Sequence, residues 1–134
     1  MSTQHPSGTG SSSSRAIVLA GVVDVVLVVV FAAIGRASHD EDALALAGLW
    51  TTAWPFLGGL VIGWAIALAW RAPIAPVRTG LPVWAVTVAG GMILRAASGQ
   101  GVQVAFVIVA AIVLLVFLVG WRLIARVVGR LRRQ

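Results

Sequence analysis

The stretch Ala16–Gly35, AIVLAGVVDVVLVVVFAAIG, decides the fold. Its twenty residues contain no proline and a single charge, Asp24. At about 1.5 Å per residue the run is roughly 30 Å long as a helix, which matches the hydrocarbon thickness of a bilayer. Asp24 lies about 12 Å in from Ala16, near the midplane. An acid at that depth costs about 2.5 to 3.5 kcal/mol on insertion scales, so it should face other helices and have a partner. Ala20, Gly21, Leu27, Val28 and Phe31 lie around it on the helix, and the small residues leave room for a neighbour.

Arg15 before this run imitates the start of a secretory signal. Such signals have an apolar core of about 7 to 15 residues followed by a small-residue cleavage site. Here the run is longer, carries an acid, and exits through Gly35-Arg36-Ala37-Ser38-His39, which offers no such site. A retained span is expected.

Composition extends that reading to the whole chain. Apolar residues make up 60% of the 134 and charged residues only 10%, well outside the soluble globular range. There is no cysteine, which excludes disulfides, thiolate metal sites and Cys nucleophiles. The net charge of +6 comes from arginine alone, since the chain has no lysine. This usage points to a high-GC genome, and the expected location is a bacterial plasma membrane.

Three further apolar runs follow, at about 49–70, 80–97 and 102–121. The expected fold class is therefore all-α: a polytopic membrane protein with four transmembrane helices in a compact bundle over residues 16–121. Residues 1–15, rich in Ser, Thr and Gly, read as a disordered cytoplasmic tail in which His5 is solvated. Residues 122–134 read as an Arg-rich amphipathic cytoplasmic tail. There Arg122, Arg126, Arg130 and Arg133 form one stripe, placed for lipid headgroups, and Leu123, Val127, Val128 and Leu131 form another. The expected partners are the bilayer and anionic lipids at its cytoplasmic face, with a second copy or another membrane protein also accommodated; no nucleic acid is expected.

Four spans put both termini on one side. That side holds Arg15, Arg71, Arg78 and the arginines after Trp121, against Arg36 and Arg95 on the other, so both termini are expected to be cytoplasmic. The acidic loop with Asp40, Glu41 and Asp42 then faces outward. Such a bias also argues against a dual-topology dimer like that of the small multidrug exporters.

Within the second span, Pro55 should bend the helix and free the carbonyl of Thr51, with Thr51 and Thr52 near enough to hydrogen-bond the freed groups. The spacing Gly59-x-x-x-Gly63 provides a flat face for a neighbouring helix. Trp64 is expected to pack in the bundle or against lipid.

Arg95 is the expected partner of Asp24. It lies about 20 Å into the third span, an axial offset of about 8 Å that an extended guanidinium nearly covers, and the Thr87 hydroxyl could complete the link. Two readings remain open for this pair: a structural ion pair, with Arg95 alone able to snorkel outward, or a proton- or ion-handling site. At the outer mouth, Arg36, Ser38 and His39 with the three acids read either as a solvated loop or as a pH-sensing, cation-attracting vestibule, since histidine ordinarily titrates near pH 6.5. One histidine beside adjacent acids lacks the spacing of a dedicated metal site, and no metal or cofactor is expected.

Several of these residues together resemble a known family. Asp24 in span one, the exit Gly35-Arg36-x-Ser38-His39, the pair Pro55-Phe56 and Arg95 late in span three are similar to domain of unknown function family 3054. These are small four-span proteins of actinobacteria and haloarchaea. The resemblance covers about Ile17–Trp121 and implies that Asp24, Arg36, His39, Pro55 and Arg95 belong to one shared polar site. It implies no activity.

Two functional readings follow. The first is a small transporter or ion- or proton-handling protein, with Asp24 as the binding group, Arg95 as counter-charge, and Arg36 and His39 at an outer gate. The alternative is a non-catalytic accessory or scaffold protein in which the pair is structural. An enzyme is not expected, because no nucleophile with a base, no metal cluster and no phosphate loop is present.

Overall fold

The computed structural model describes residues 9–39, 42 and 45–134. The expectations for residues 1–8 with His5, and for Asp40 and Glu41, lie outside the described residues. Four helices follow one another: α1 Thr9–Ala37, α2 Leu46–Ala67, α3 Leu81–Ala97 and α4 Val104–Arg132, with no strand among the described residues. The stretches Ser14–Ala37, Leu46–Ala67, Pro76–Ala97 and Val104–Arg132 are each long and apolar enough to cross a membrane. The helices run up and down. The α1–α2 and α3–α4 connections share one end, here called distal; the α2–α3 connection and both chain ends share the other, here called terminal.

Two boundaries differ from the sequence reading. Helix α1 already starts at Thr9, within the segment expected to be unstructured. Propagating an existing helix needs only one more bond per residue, and no proline intervenes after Pro6. Helix α4 continues without a break from the fourth span into the arginine tail. Its 29 residues make a rod of about 43 Å, so the tail extends the span instead of forming a separate surface helix.

Each helix places one stripe in the core. On α1 the stripe is Ala20, Asp24, Val28 and Phe31 with Ala32; on α4 it is Ala110, Leu114, Leu118 and Arg122, in steps of four. A charged residue thus sits in the buried row of both helices. The remaining faces carry exposed Val, Ile and Leu, as a lipid-facing surface requires.

Helices α2 and α3 make the closest pair, and glycine is the reason. A Cβ at Gly59 would come within 2.7 Å of the Thr87 carbonyl oxygen and 2.9 Å of the Gly91 nitrogen, and one at Gly63 within 3.1 Å of the Val83 carbonyl oxygen. The expected flat face on α2 therefore lies directly on the α3 backbone. At the distal end, Phe31, Phe56 and Phe106 cluster with ring centroids 5.1 to 6.4 Å apart. Trp84 Nε1 donates to the Ala111 carbonyl at 2.8 Å and ties α3 to α4.

Pro55 is buried within α2. Thr51 and Thr52 donate to the carbonyls of Ala47 and Gly48, one turn back. The Thr51 carbonyl, which Pro55 deprives of its helical donor, accepts a 3.1 Å hydrogen bond from Gln100 Nε2 in the α3–α4 turn. That turn passes through Gly99 at φ 81°, a left-handed conformation that a Cβ disfavours.

Candidate functional site

Asp24 is fully buried, and its ion-pair partner is Arg122, also at 0% exposure, not Arg95. The pair is bidentate: Arg122 Nη1 donates to Oδ1 at 2.9 Å and Nη2 to Oδ2 at 2.7 Å. Two indoles complete the carboxylate shell. Trp121 Nε1 donates to Oδ1 and Trp64 Nε1 to Oδ2, each at 2.8 Å. Each oxygen of Asp24 therefore accepts two hydrogen bonds.

Arg122 is equally well supplied. Its Nε donates to the Pro73 carbonyl at 2.9 Å, and Nη1 also donates to the Leu118 carbonyl at 2.7 Å. Its guanidinium carbon lies 4.7 Å from the Trp121 ring centroid. Gly80 admits the Arg122 stem, since a Cβ there would approach Cδ to 3.2 Å. The constellation ties α1, α2, the α2–α3 connection and α4 together at one depth. It satisfies the rule that charges taken out of water persist only when paired and hydrogen-bonded.

This corrects three sequence expectations. Arg122 is not a headgroup arginine, because its side chain turns into the bundle; Arg126, Arg130 and Arg133 are exposed beyond it. The counter-charge comes from α4, not from α3 as expected of Arg95. Thr87 does not bridge to Asp24: its hydroxyl is buried against α2 with no hydrogen-bond partner among the described residues. The direction of the side chains explains the pairing. Helical side chains lean toward their own N-terminus, so on antiparallel α1 and α4 Asp24 leans toward the terminal end and Arg122 toward mid-membrane. The two lean toward each other.

Arg95 instead turns to the distal end. Nε and Nη2 donate to the Gly101 carbonyl at 3.2 and 2.9 Å, and Nη1 donates to Gln100 Oε1 at 2.9 Å. Its guanidinium lies 4.3 Å above the Phe106 ring. Its guanidinium thus reaches past the end of α3, where the α3–α4 turn supplies the acceptors.

Arg95 also lines a half-open cavity of about 250 Å³ with Arg36, His39, Thr52, Gln103 and Phe106. Arg36 donates through Nε to the Asp42 carbonyl at 3.1 Å and lies against Gly48, where a Cβ would overlap the guanidinium. The structure thus divides the single polar site implied by the sequence. Arg36, His39 and Arg95 meet at the distal end, Asp24 belongs to a separate buried cluster, and Pro55 stands in the packed α2 between them.

The family model for a protein of unknown function, DUF3054, matches residues 21–125. The chain belongs to this family. The match includes Trp121 and Arg122 as well as Asp24 and Trp64, so the whole buried cluster lies inside the family domain, whereas the last arginines of α4 lie outside it. Comparison with curated proteins and with solved structures gives no match.

Sequence reasoning missed Arg122, Trp64 and Trp121 as members of the buried cluster. A signal for the arginine was present: Ala110, Leu114, Leu118 and Arg122 continue one row at a spacing of four. An arginine that extends an apolar row one turn beyond an apparent span end is a candidate for inward pairing.

Proposed function

We propose that this chain is a non-catalytic integral membrane protein, an accessory or scaffold subunit, in which the Asp24–Arg122 pair is a structural lock. The observation that carries this reading is the saturation of Asp24. Proton or ion handling requires a carboxylate oxygen that exchanges its partners, and here each oxygen holds one indole and one guanidinium donor in a fully buried setting. Replacing the chain's lone intramembrane acid should therefore damage folding, not a flux. In proteoliposomes, Asp24→Asn should be poorly folded wherever it is inactive. A well-folded Asp24→Asn that loses a proton or solute flux shown by the wild type would overturn the lock and restore the transport reading.

The transport reading has one observation of its own, the distal cavity where Arg36, His39 and Arg95 meet. In that reading the cavity is the entrance and Asp24 the deeper station.

Both termini are cytoplasmic in this proposal, and the membrane is a bacterial plasma membrane. Arg15, Arg71, Arg78, Arg126, Arg130, Arg132 and Arg133 flank the terminal end, against Arg36 and Arg95 at the distal end, even with Arg122 set aside as the partner of Asp24. The projecting end of α4 then places Arg126, Arg130 and Arg133 beside anionic headgroups. Because the chain has no native cysteine, Glu41→Cys can be labelled cleanly. It should react from outside the cell; reaction from the cytoplasm alone would reverse the topology.

A further inference from the structure

The distal cavity has a chemistry of its own. Five N–H donors radiate from a guanidinium, and Arg95 makes three hydrogen bonds, all to uncharged oxygens. One N–H on each of Nη1 and Nη2 is left over, and no carboxylate pairs with Arg95 among the described residues. The contrast with Arg122 is direct: one membrane-embedded arginine has a bidentate carboxylate, whereas the other has only neutral oxygens and a ring face.

The cavity beside Arg95 is built by all four helices. Gly35 and Arg36 come from the end of α1 and His39 from the turn after it, Thr52 from the first turns of α2, Arg95 from the end of α3, Gln103 from the residue that precedes α4 and Phe106 from its start. No acid is among the described residues that line it. Its volume of about 250 Å³ equals that of roughly eight waters at about 30 Å³ each, enough for a phosphate with a short substituent. Phe31, Ala32 and Phe106 form an apolar wall on one side, and Arg36, His39 and Gln103 supply polar groups around the rest. The cavity lies at the distal ends of the four helices, the level at which helices that cross a bilayer meet its headgroups.

We propose that this cavity is an oxyanion site that takes a phosphate group, with Arg95 as its charged anchor and His39 and Gln103 as rim contacts. The partly committed guanidinium is pre-positioned: its bonds to Gly101 and Gln100 fix its plane, and Phe106 supports one face. The phosphate can belong to a lipid headgroup at the membrane surface or to a free ion entering from the aqueous side. This site lies apart from the Asp24 lock and does not depend on whether that lock is structural.

The test uses the full chain in a phosphate-free detergent, in the background Arg126→Gln, Arg130→Gln, Arg133→Gln so that the tail does not bind the probe. Two probes are titrated, inorganic phosphate and phosphatidylglycerol, with thermal midpoint and lipid retention in native mass spectrometry as readouts. A saturable upward shift with inorganic phosphate identifies a free-ion site. Retention of phosphatidylglycerol without a response to inorganic phosphate identifies a headgroup site. In either case Arg95→Gln should weaken the effective probe about tenfold, the scale of one charge-assisted contact, whereas Arg95→Lys should retain part of the response. His39→Ala and Gln103→Ala should each weaken it severalfold, and they decide the matter if Arg95→Gln does not fold. Equal responses of parent and pocket variants, or no response to either probe, would overturn the proposal.

Discussion

The terminal and distal halves of the bundle each hold a buried or half-buried arginine, and they treat it differently. At the terminal half Arg122 meets Asp24 in a sealed cluster where each carboxylate oxygen has two donors. At the distal half Arg95 caps a turn through neutral oxygens and borders an open cavity. Between the halves lies the close approach of α2 and α3 at Gly59 and Gly91, with Phe56 packed against Gly91, which forms a packed middle. Low dielectric makes an unpaired buried charge very costly, so the closed half must pair its charges; the half near the interface can leave one available. The cation left with neutral partners, not the lone acid, is therefore the one on which the proposed oxyanion site is built.

That contrast can be broken most forcefully at Asp24. Asp24→Ala leaves Arg122 buried without its partner and should cost about 3 to 5 kcal/mol, measured by reversible unfolding in mixed micelles. A cost near zero would place Arg122 in contact with water and remove the distinction between the halves.

Next come the indoles. Trp64→Phe or Trp121→Phe removes one donor to a charged acceptor and should cost about 1.5 to 3 kcal/mol. Equal losses from the two would show that both oxygens of Asp24 depend on their indoles. A neutral Trp64→Phe would reduce the cluster to an α1–α4 device, without the tie to α2.

The packed middle should respond to volume instead of charge. Gly59→Ala drives a methyl into the Thr87 carbonyl and the Gly91 amide of α3. Backbone cannot yield as a side-chain tip can, so about 1 to 3 kcal/mol should be lost. A stabilised variant would mean that α2 and α3 are farther apart than their glycines require.

The smallest effect on folding should come from Arg95→Gln. Its acceptors are at the half-exposed turn and can turn to water, so the cost should stay within about 1 kcal/mol. If Arg95→Gln instead destabilises the bundle as strongly as the change at Asp24, then both arginines are structural and the two halves are alike.

The architecture was largely legible in the sequence because bilayer thickness imposes element length. The runs at 16–35, 49–70, 80–97 and 102–121 fall within a few residues of the four helices long and apolar enough to cross a membrane, apart from the extended end of α4. The Gly59–Gly63 face was legible as well, since only glycine lets two helix backbones approach so closely. The pairing was not. The sequence reading sought a partner for Asp24 inside an apolar run and found Arg95, because Arg122 stands just after an apparent span end. Helix α4 does not stop there, and the lean of its side chains carries Arg122 back into the bundle. Hydrogen bonds from Trp64 and Trp121 were hidden for a related reason: an indole in a membrane chain reads first as apolar bulk or as an interface anchor, and its one donor takes on meaning only once an acceptor is placed beside it. Arg36 and His39 were legible together at one mouth of the bundle, but Arg95 was assigned to Asp24; that it lines a cavity with them, as Gln103 does, and bonds Gln100 entered only through the geometry of the α3–α4 turn.

The most direct measurement is a double-mutant cycle between Asp24 and Arg122, with Asp24→Asn, Arg122→Gln and the double variant unfolded in the same detergent. A sealed lock predicts that the double variant is considerably more stable than the sum of the two single losses implies, with a coupling of about 2 kcal/mol or more. The matching cycle of Asp24 with Arg95 should show additive losses. Additivity between Asp24 and Arg122, or coupling between Asp24 and Arg95, would contradict the pairing on which the division of the molecule rests.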